Sequence, residues 1–488
     1  MGTCARSKVG FRRHGLVAFA VATGTLAALV QALPGPVWAA YANPAAMVGS
    51  TAGAFDEVAF FNAQLNSHLA GNEQGLSAAL SKQVLTDSQN RISNEFKVPP
   101  EIKNNVEFWF KIYAQYSTRN IVLFDSKHPE IIYEALDFSD LAATARNKIV
   151  YELVSKKAIA TKIKKYKAAF ARLMKNPRPR KPTPEEANIL AALKKIPHKH
   201  SFKDLAGTFR SQTGQRDNVI AGLATAEDFF PKMEKVFAGF DLPKELVRLS
   251  LVESSFNVGV TSRVGAAGVW QFMPDSAKEY LLVHPASKID ERLSPLKSTV
   301  AAAKLLKRNR RILGNWALAV TSYNHGMRHL RNIASRTSDE FRSVAHVFKT
   351  CGPHRHGVGW ASRNYYAEFL AMVHAEAYRD LLYNDLRKPN SRAVTFAELK
   401  APTSLSEFAM SRGLSLHEMV QLNQEVGDFR VALPRGFILT IPSQQDEIDL
   451  LISRSRFYQP PKLNGRSLTG GFSVASHSEQ ARKKRGRR

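Results

Sequence analysis

The sequence predicts a mainly α-helical protein of several domains. Three observations carry this expectation: helical apolar spacing from about residue 50 to residue 240, helix start and stop signals between Asp241 and Gly326, and a strand, helix, helix, strand pattern between Ala393 and Pro442. At 488 residues, 44% hydrophobic and 9% aromatic, the chain can bury sizeable cores, and about 100–200 residues per domain gives two to four of them. With 69 Lys plus Arg against 42 Asp plus Glu, the formal charge is +27. Such an excess favours a polyanionic partner: nucleic acid, an anionic membrane surface or an acidic wall polymer.

The elements follow in chain order. Lys8, Arg12 and Arg13 form a basic start, "GLVAFAVATGTLAALVQAL" an apolar run, and Pro34 to Ala40 a small-residue exit. Together they predict a secretory signal over residues 1–40, cleaved near Ala39 or Ala40, with an uncleaved membrane anchor as the alternative. Cys4 precedes the apolar run, so it is not placed to be a lipidated cysteine. Only Cys351 would remain after cleavage, which excludes an intramolecular disulfide framework. Residues 41–229 are expected to be a helical region of unassigned role, broken at "VPP" (Val98 to Pro100), "SKHPE" (Ser126 to Glu130) and "NPRPRKPTP" (Asn176 to Pro184). Within it, "KKAIATKIKKYKAAFARLMK" reads as a basic helix with either a solvated charged face or an envelope-contact surface.

In "DLPKELVRLSLVESSFN" the apolar residues Leu242, Leu246, Leu249 and Phe256 share a helical face with Glu253. The helix is expected to begin near "DLPKE", placing Glu253 well inside it. Burial disfavours a carboxylate, so Glu253 should hold its proton to higher pH than usual, as a general acid requires. The plainer alternative is a structural ion pair with Arg248 or Arg263. Next, "SRVGAAGVWQF" (Ser262 to Phe272) offers a tight glycine turn that lets backbone approach a ligand beside an aromatic ring and an amide. "LAVTSYNHG" (Leu318 to Gly326) ends a helix, so Tyr323 and Asn324 should project from its last turn.

Taken in order, "ELVRLSLVESSFN", "SRVGAAGVWQF", "SYNHG" and "SRNYYAEFLA" resemble the four motifs of the lytic murein transglycosylase domain, which has a goose-type lysozyme-like fold. The likeness spans about Phe230 to Tyr378 and is nearest to the membrane-bound lytic murein transglycosylase D group, whose members carry C-terminal LysM repeats. It implies an α+β-class lysozyme-like domain over about 230–385. By the same resemblance, the catalytic residue falls on Glu253 and the substrate-binding residues on Ser262, Gln271, Tyr323, Asn324 and Tyr365. Ala361 stands where relatives often have glutamate, and Phe272 and Met273 follow the glutamine. "AVTFAELKAPTSLSEFAMSRGLSLHEMVQLNQEVGDFRVALPRGFILTIP" resembles a LysM domain, a small βααβ module that holds peptidoglycan or chitin chains. It occupies about 390–445, with Ala401-Pro402-Thr403 in place of the usual Gly-Asp. Residues 455–488, ending "ARKKRGRR", read as a basic tail expected to be disordered.

The resemblance implies a periplasmic or cell-envelope enzyme whose partner is the peptidoglycan glycan strand, with electrostatic association to the anionic envelope. Glu253 would protonate the MurNAc–GlcNAc β-1,4 oxygen, and the C6 hydroxyl of MurNAc would close a 1,6-anhydro ring. Competing readings are a lysozyme-type muramidase and a non-catalytic wall binder. A muramidase needs a second carboxylate. The next acids after Glu253 are Asp275, Glu279, Asp290 and Glu291, none within a motif, so the nucleophile is expected to come from the substrate. No cofactor or metal is expected; "CGPHRHG" (Cys351 to Gly357) is a weak candidate. Export and the lack of a nucleic-acid motif argue against a nucleic-acid partner.

Overall fold

The computed structural model describes residues 76–194, 201–334, 359–383, 386 and 392–456. The signal segment, Cys4, Cys351 with "CGPHRHG", and the basic tail beyond residue 456 lie outside the described residues.

The region before the first motif is not helical throughout. Helix α1 (Lys103–Ala114) leads into a three-stranded antiparallel sheet of β1 (Asn120–Asp125), β2 (Ile132–Asp137) and β3 (Phe209–Thr213), in the order β2-β1-β3. Asn120 pairs with Asp137 and Ile121 with Thr213, so "NIVLFD" is the central strand and is buried from Ile121 onward. A short continuous apolar run has no alternation to separate strand from helix, which is why the sheet was not expected. "SKHPE" is thus the bend between paired strands β1 and β2 rather than a break between helices.

Helix α2 (Lys148–Lys175), capped by the Asn147 side chain on the Val150 amide at 3.0 Å, buries Tyr166, Ala169, Phe170 and Leu173 against this sheet. Its first half is exposed: Ile149 and Leu153 keep 78% and 69% of their surface in water.

The central body is built around helix α8 (Trp360–Ala377), which buries almost every residue from Asn364 to Glu376. Helix α1 packs on it through Val106, Phe108, Trp109, Phe110, Ile112 and Tyr113, all buried. Asn105 and Trp109 of α1 donate to the Asn364 side chain of α8 at 2.9 and 3.4 Å. Around α8 stand α3 (Arg216–Ala226), α4 (Phe230–Gly239), α5 (Leu249–Ser254), α6 (Pro295–Leu313) and α7 (Trp316–His325). One hydrophobic core runs through all of these from Val84 to Ile452.

The C-terminal module has the expected order: β4 (Val394–Glu398), α9 (Leu405–Ser411), α10 (Leu416–Leu422) and β5 (Ile438–Pro442), with β4 and β5 antiparallel. Ser404 and Glu407 form a capping box that starts α9. The module is joined to the central body rather than hung from it. Ile289 bridges Val426, the Asp290 amide donates to the Glu425 carbonyl at 2.8 Å, and buried Lys297 lies 2.7 Å from Glu425 and 3.2 Å from Glu291. A further helix, α11 (Ile448–Arg456), returns to bury Ile448, Leu451 and Ile452 in the central core against α4.

Candidate active site

Glu253 occupies the penultimate position of a short helix, not the interior of a long one. The segment begins as a 3-10 turn, Lys244–Arg248, and only then becomes α5. Asp241, with φ of 58°, stands outside it. The helix stops because Ser255 and Phe256 both take left-handed backbone, φ 48° and 54°, folding Phe256 back into the core. Helix α3 presses on this turn through Gly222: a Cβ there would sit 2.4 Å from the Ser255 carbonyl oxygen. The glutamate is therefore delivered at a helix end, half-buried, by a turn that its neighbours enforce.

Arg248, one of the partners expected for Glu253, is engaged elsewhere: it bonds Glu376 at 2.8 Å and also Glu234. Glu253 is instead bonded by the Tyr365 hydroxyl, which donates to its Oε1 from α8. Burial pushes the Glu253 carboxyl up to about 7, and the Tyr365 hydrogen bond holds it back from rising further. Burial and the charge on Glu253 likewise drive the Tyr365 and Tyr323 hydroxyls well above their ordinary range, so both remain donors.

The glycine turn stands beside this acid. Ser254 Oγ donates to the Val269 carbonyl at 3.0 Å, tying α5 to the second motif. Ser262 spends its polar groups on the turn: its Oγ accepts from the Ala266 amide at 2.9 Å and its amide donates to the Ala266 carbonyl at 2.7 Å. Gly268 has φ of 74°, and a Cβ there would overlap the Arg292 carbonyl oxygen at 1.8 Å. Arg292 clasps the loop by donating to the carbonyls of Gly265 and Phe272 at 2.6 and 2.9 Å. Gln271, left-handed at φ 46°, donates to the Gly268 carbonyl at 2.8 Å, while its buried amide oxygen has no hydrogen-bond partner among the described residues. Left-handed backbone and a buried amide oxygen without a partner are both rare in a native interior.

Trp270 is the exception to the expected groove aromatic. It is fully buried, stacks on Phe237 at 5.7 Å and donates to Thr299 Oγ1 at 2.9 Å, so it belongs to the core. What reaches the site is its carbonyl, which accepts from the Tyr323 hydroxyl at 2.7 Å. Helix α7 ends at Gly326, φ 89°, as the stop signals predict. Asn324 accepts from Ser362 Oγ at 3.0 Å, joining the end of α7 to the first turn of α8.

The four acids after Glu253 do not form the site. Asp275 and Glu279 are exposed and pair with Lys278 and Arg308; Asp290 pairs with Arg292; Glu291 is buried against Lys297. The second carboxyl is Glu368, inside the fourth motif and one helical turn past Tyr365. Burial and the charge on Glu253 push it up to about 8. Tyr113 of α1, from the region without an assigned role, also feels both acids, and burial drives its hydroxyl far upward. Applying to "SRNYYAEFLA" the question asked of Glu253, an acid among apolar helical neighbours, would have found Glu368. No local signal marks Tyr113. Among the described residues no group of three or more His, Cys, Asp or Glu side chains is placed to hold a metal.

Residues 239–344 match the family described as Transglycosylase SLT domain, a span that holds Glu253, Ser262, Gln271, Tyr323 and Asn324 and stops before Tyr365 and Glu368. Residues 239–344 are thus a Transglycosylase SLT domain. The chain is 29% identical over 199 residues to membrane-bound lytic murein transglycosylase D of Escherichia coli (strain K12) and, equally, of strain CFT073 of serotype O6:H1. Each alignment covers 38% of this chain and 40% of the relative. A protein named for tributyltin chloride resistance in Alteromonas sp. (strain M-1) is 33% identical over 103 residues, 20% of this chain and 49% of that one. The chain thus spans less than half the length of the curated relatives it matches.

Proposed function

We propose that the protein cleaves the MurNAc–GlcNAc β-1,4 bond of peptidoglycan as a lytic transglycosylase, leaving 1,6-anhydro-MurNAc ends. The observation that carries this reading is the half-buried Glu253, bonded by Tyr365 and able to keep a proton near neutral pH. In its acid form Glu253 gives that proton to the glycosidic oxygen as the C1–O bond breaks. The resulting carboxylate takes the proton of the MurNAc C6 hydroxyl as that oxygen bonds to C1, which restores the acid. Gln271, Asn324, Tyr323 and Tyr365 hold the sugar and face the oxocarbenium-like charge, with Ser262 shaping the loop beneath.

Hydrolysis is the competing reading, and Glu368 is the observation in its favour. A carboxyl that holds its proton beyond neutral pH is a poor base for water while Glu253 is charged, which supports the intramolecular route. Digestion of purified peptidoglycan, with mass spectrometry of the fragments, tests the choice. Anhydro ends, one water lighter than hydrolytic ones, support the transglycosylase; reducing MurNAc ends as the main product refute it.

The same reading places the protein in the cell envelope, exported by residues 1–40, with residues 390–445 as a LysM-like glycan-holding module and the excess positive charge drawn to the anionic envelope. No helix among the described residues is long and apolar enough to cross a membrane. Recovery of mature protein beginning near residue 40 tests export.

A further inference from the structure

The C-terminal module does not close its core by itself. Leu282 and Ile289, which lie within the span 239–344, are buried in one apolar cluster with Val426, Leu433, Phe437 and Leu439 of the module. Ile289 belongs to a short antiparallel pair, Val283–His284 with Ile289–Asp290, and Leu282 directly precedes it. The module meets this pair through backbone. The Asp290 amide donates to the Glu425 carbonyl at 2.8 Å, Ile289 bridges Val426, and the Gly427 amide donates to the Lys288 carbonyl at 2.8 Å. Gly427 fits because it is small: a Cβ there would sit 3.1 Å from the Lys288 carbonyl oxygen. On the module side the segment is anchored by buried Asn423. Its side chain donates to the Met419 and Thr440 carbonyls at 2.8 and 2.7 Å and accepts from the Thr440 amide at 2.8 Å.

From this pair the contacts run on to the glycine turn. Buried Arg292 donates to both carboxylate oxygens of Asp290, from Nε at 2.9 Å and from Nη2 at 2.7 Å. A two-pronged bond of this kind fixes the plane of the guanidinium. Its remaining nitrogen, Nη1, then reaches the Gly265 and Phe272 carbonyls at 2.6 and 2.9 Å. Those carbonyls stand at either end of the stretch that holds Gly268 and Gln271, and the Arg292 carbonyl oxygen lies against Gly268 where no Cβ fits. The stretch takes left-handed backbone at Gly265, Gly268 and Gln271, a shape that surrounding structure must hold.

We propose that the C-terminal module positions the catalytic loop: its Glu425–Gly427 segment sets the Lys288–Asp290 edge, Asp290 aims Arg292, and Arg292 fixes the turn that presents Gln271. Asp290 and Arg292 are then positioning residues, and the module braces the site apart from any glycan it holds. This rests on the reading of Gln271 as a sugar-holding residue.

The test uses the full chain and soluble, peptide-free glycan strands of peptidoglycan, on which kcat and KM are separated. Gly427→Val crowds the Lys288 carbonyl, Val426→Ala trims the bridge more gently, and Asp290→Asn leaves one of the two Arg292 donors without an acceptor. Each variant is assayed below its own melting transition. Misplacing a group that acts in the transition state lowers kcat and leaves KM nearly unchanged, so kcat should fall by about 10-fold or more in Gly427→Val and Asp290→Asn, and less in Val426→Ala. A module that only holds glycan gives the opposite split, a raised KM with kcat retained, and that result overturns the proposal. Gly427→Val combined with Arg292→Met should turn over no more slowly than Arg292→Met alone, because both break one path; multiplied losses overturn it. Amide hydrogen exchange over Gly265 to Phe272 reads the loop without turnover. It should quicken by about 10-fold or more in Gly427→Val, and unchanged exchange overturns the brace. Quickened exchange in a chain that cleaves no glycan would instead refute the assigned reaction while leaving the brace standing.

Discussion

Replacing Glu253 by glutamine should separate activity from stability in opposite directions. The substitution preserves shape and removes a carboxyl that burial has moved from 4.5 to about 7. At pH 7 such a group is about half protonated, against about 0.3% for an unshifted one, so the site raises the acid population roughly 150-fold. Glutamine supplies no acid, and turnover should fall by at least about 100-fold, the loss typical of a missing general acid. The same shift is a stability statement. The folded value is raised, so its stabilising contribution is present below the unfolded value and is lost as pH climbs from 4.5 to about 7. Ionising the wild-type site thus costs at most about 3 kcal/mol, and Glu253→Gln should gain up to that amount relative to wild type between acid and alkaline pH. Denaturant unfolding at both pH values, beside peptidoglycan turnover, measures the two effects. Near-normal turnover, or a stability difference independent of pH, would refute the buried-acid argument.

Three further outcomes follow from particular contacts. Tyr365→Phe removes the donor that favours the Glu253 carboxylate, so the alkaline limb of the rate profile should move upward by roughly one pH unit while the maximum rate falls; a downward shift would contradict the assigned bond. Gly222→Ala places a methyl 2.4 Å from the Ser255 carbonyl and should cost about 1–3 kcal/mol in thermal melts, with a larger loss of turnover than Gly259→Ala, where a Cβ meets nothing within 4 Å. Lys297→Met removes the buried cation that pairs with Glu425 and Glu291 and should destabilise the junction with the C-terminal module by about 3–5 kcal/mol, read as an earlier unfolding transition.

The sequence by itself determined the residue types of the site and much of its local geometry. Apolar spacing around Glu253, the glycine turn and the Asn324–Gly326 stop are short-range signals, and each reappears as burial, a left-handed turn or a helix end. The βααβ order of the C-terminal module was legible as a strand, helix, helix, strand pattern between Ala393 and Pro442, whereas the pairing of its end strands, Val394 with Pro442, is long-range. Tertiary structure decided the rest. Strand β1 carries no periodicity to identify it, because a strand covered on both faces is apolar throughout. Helix α5 ends at Ser254 because Gly222, thirty-odd positions earlier, lets α3 close on the Ser255 turn. The environment of Glu253 is likewise non-local: Tyr365 and Glu368 reach it from α8, and Tyr113 from α1. A side chain's ionisation depends on what surrounds it in space, and neither its solvation nor its neighbouring charges are written in its own stretch of chain.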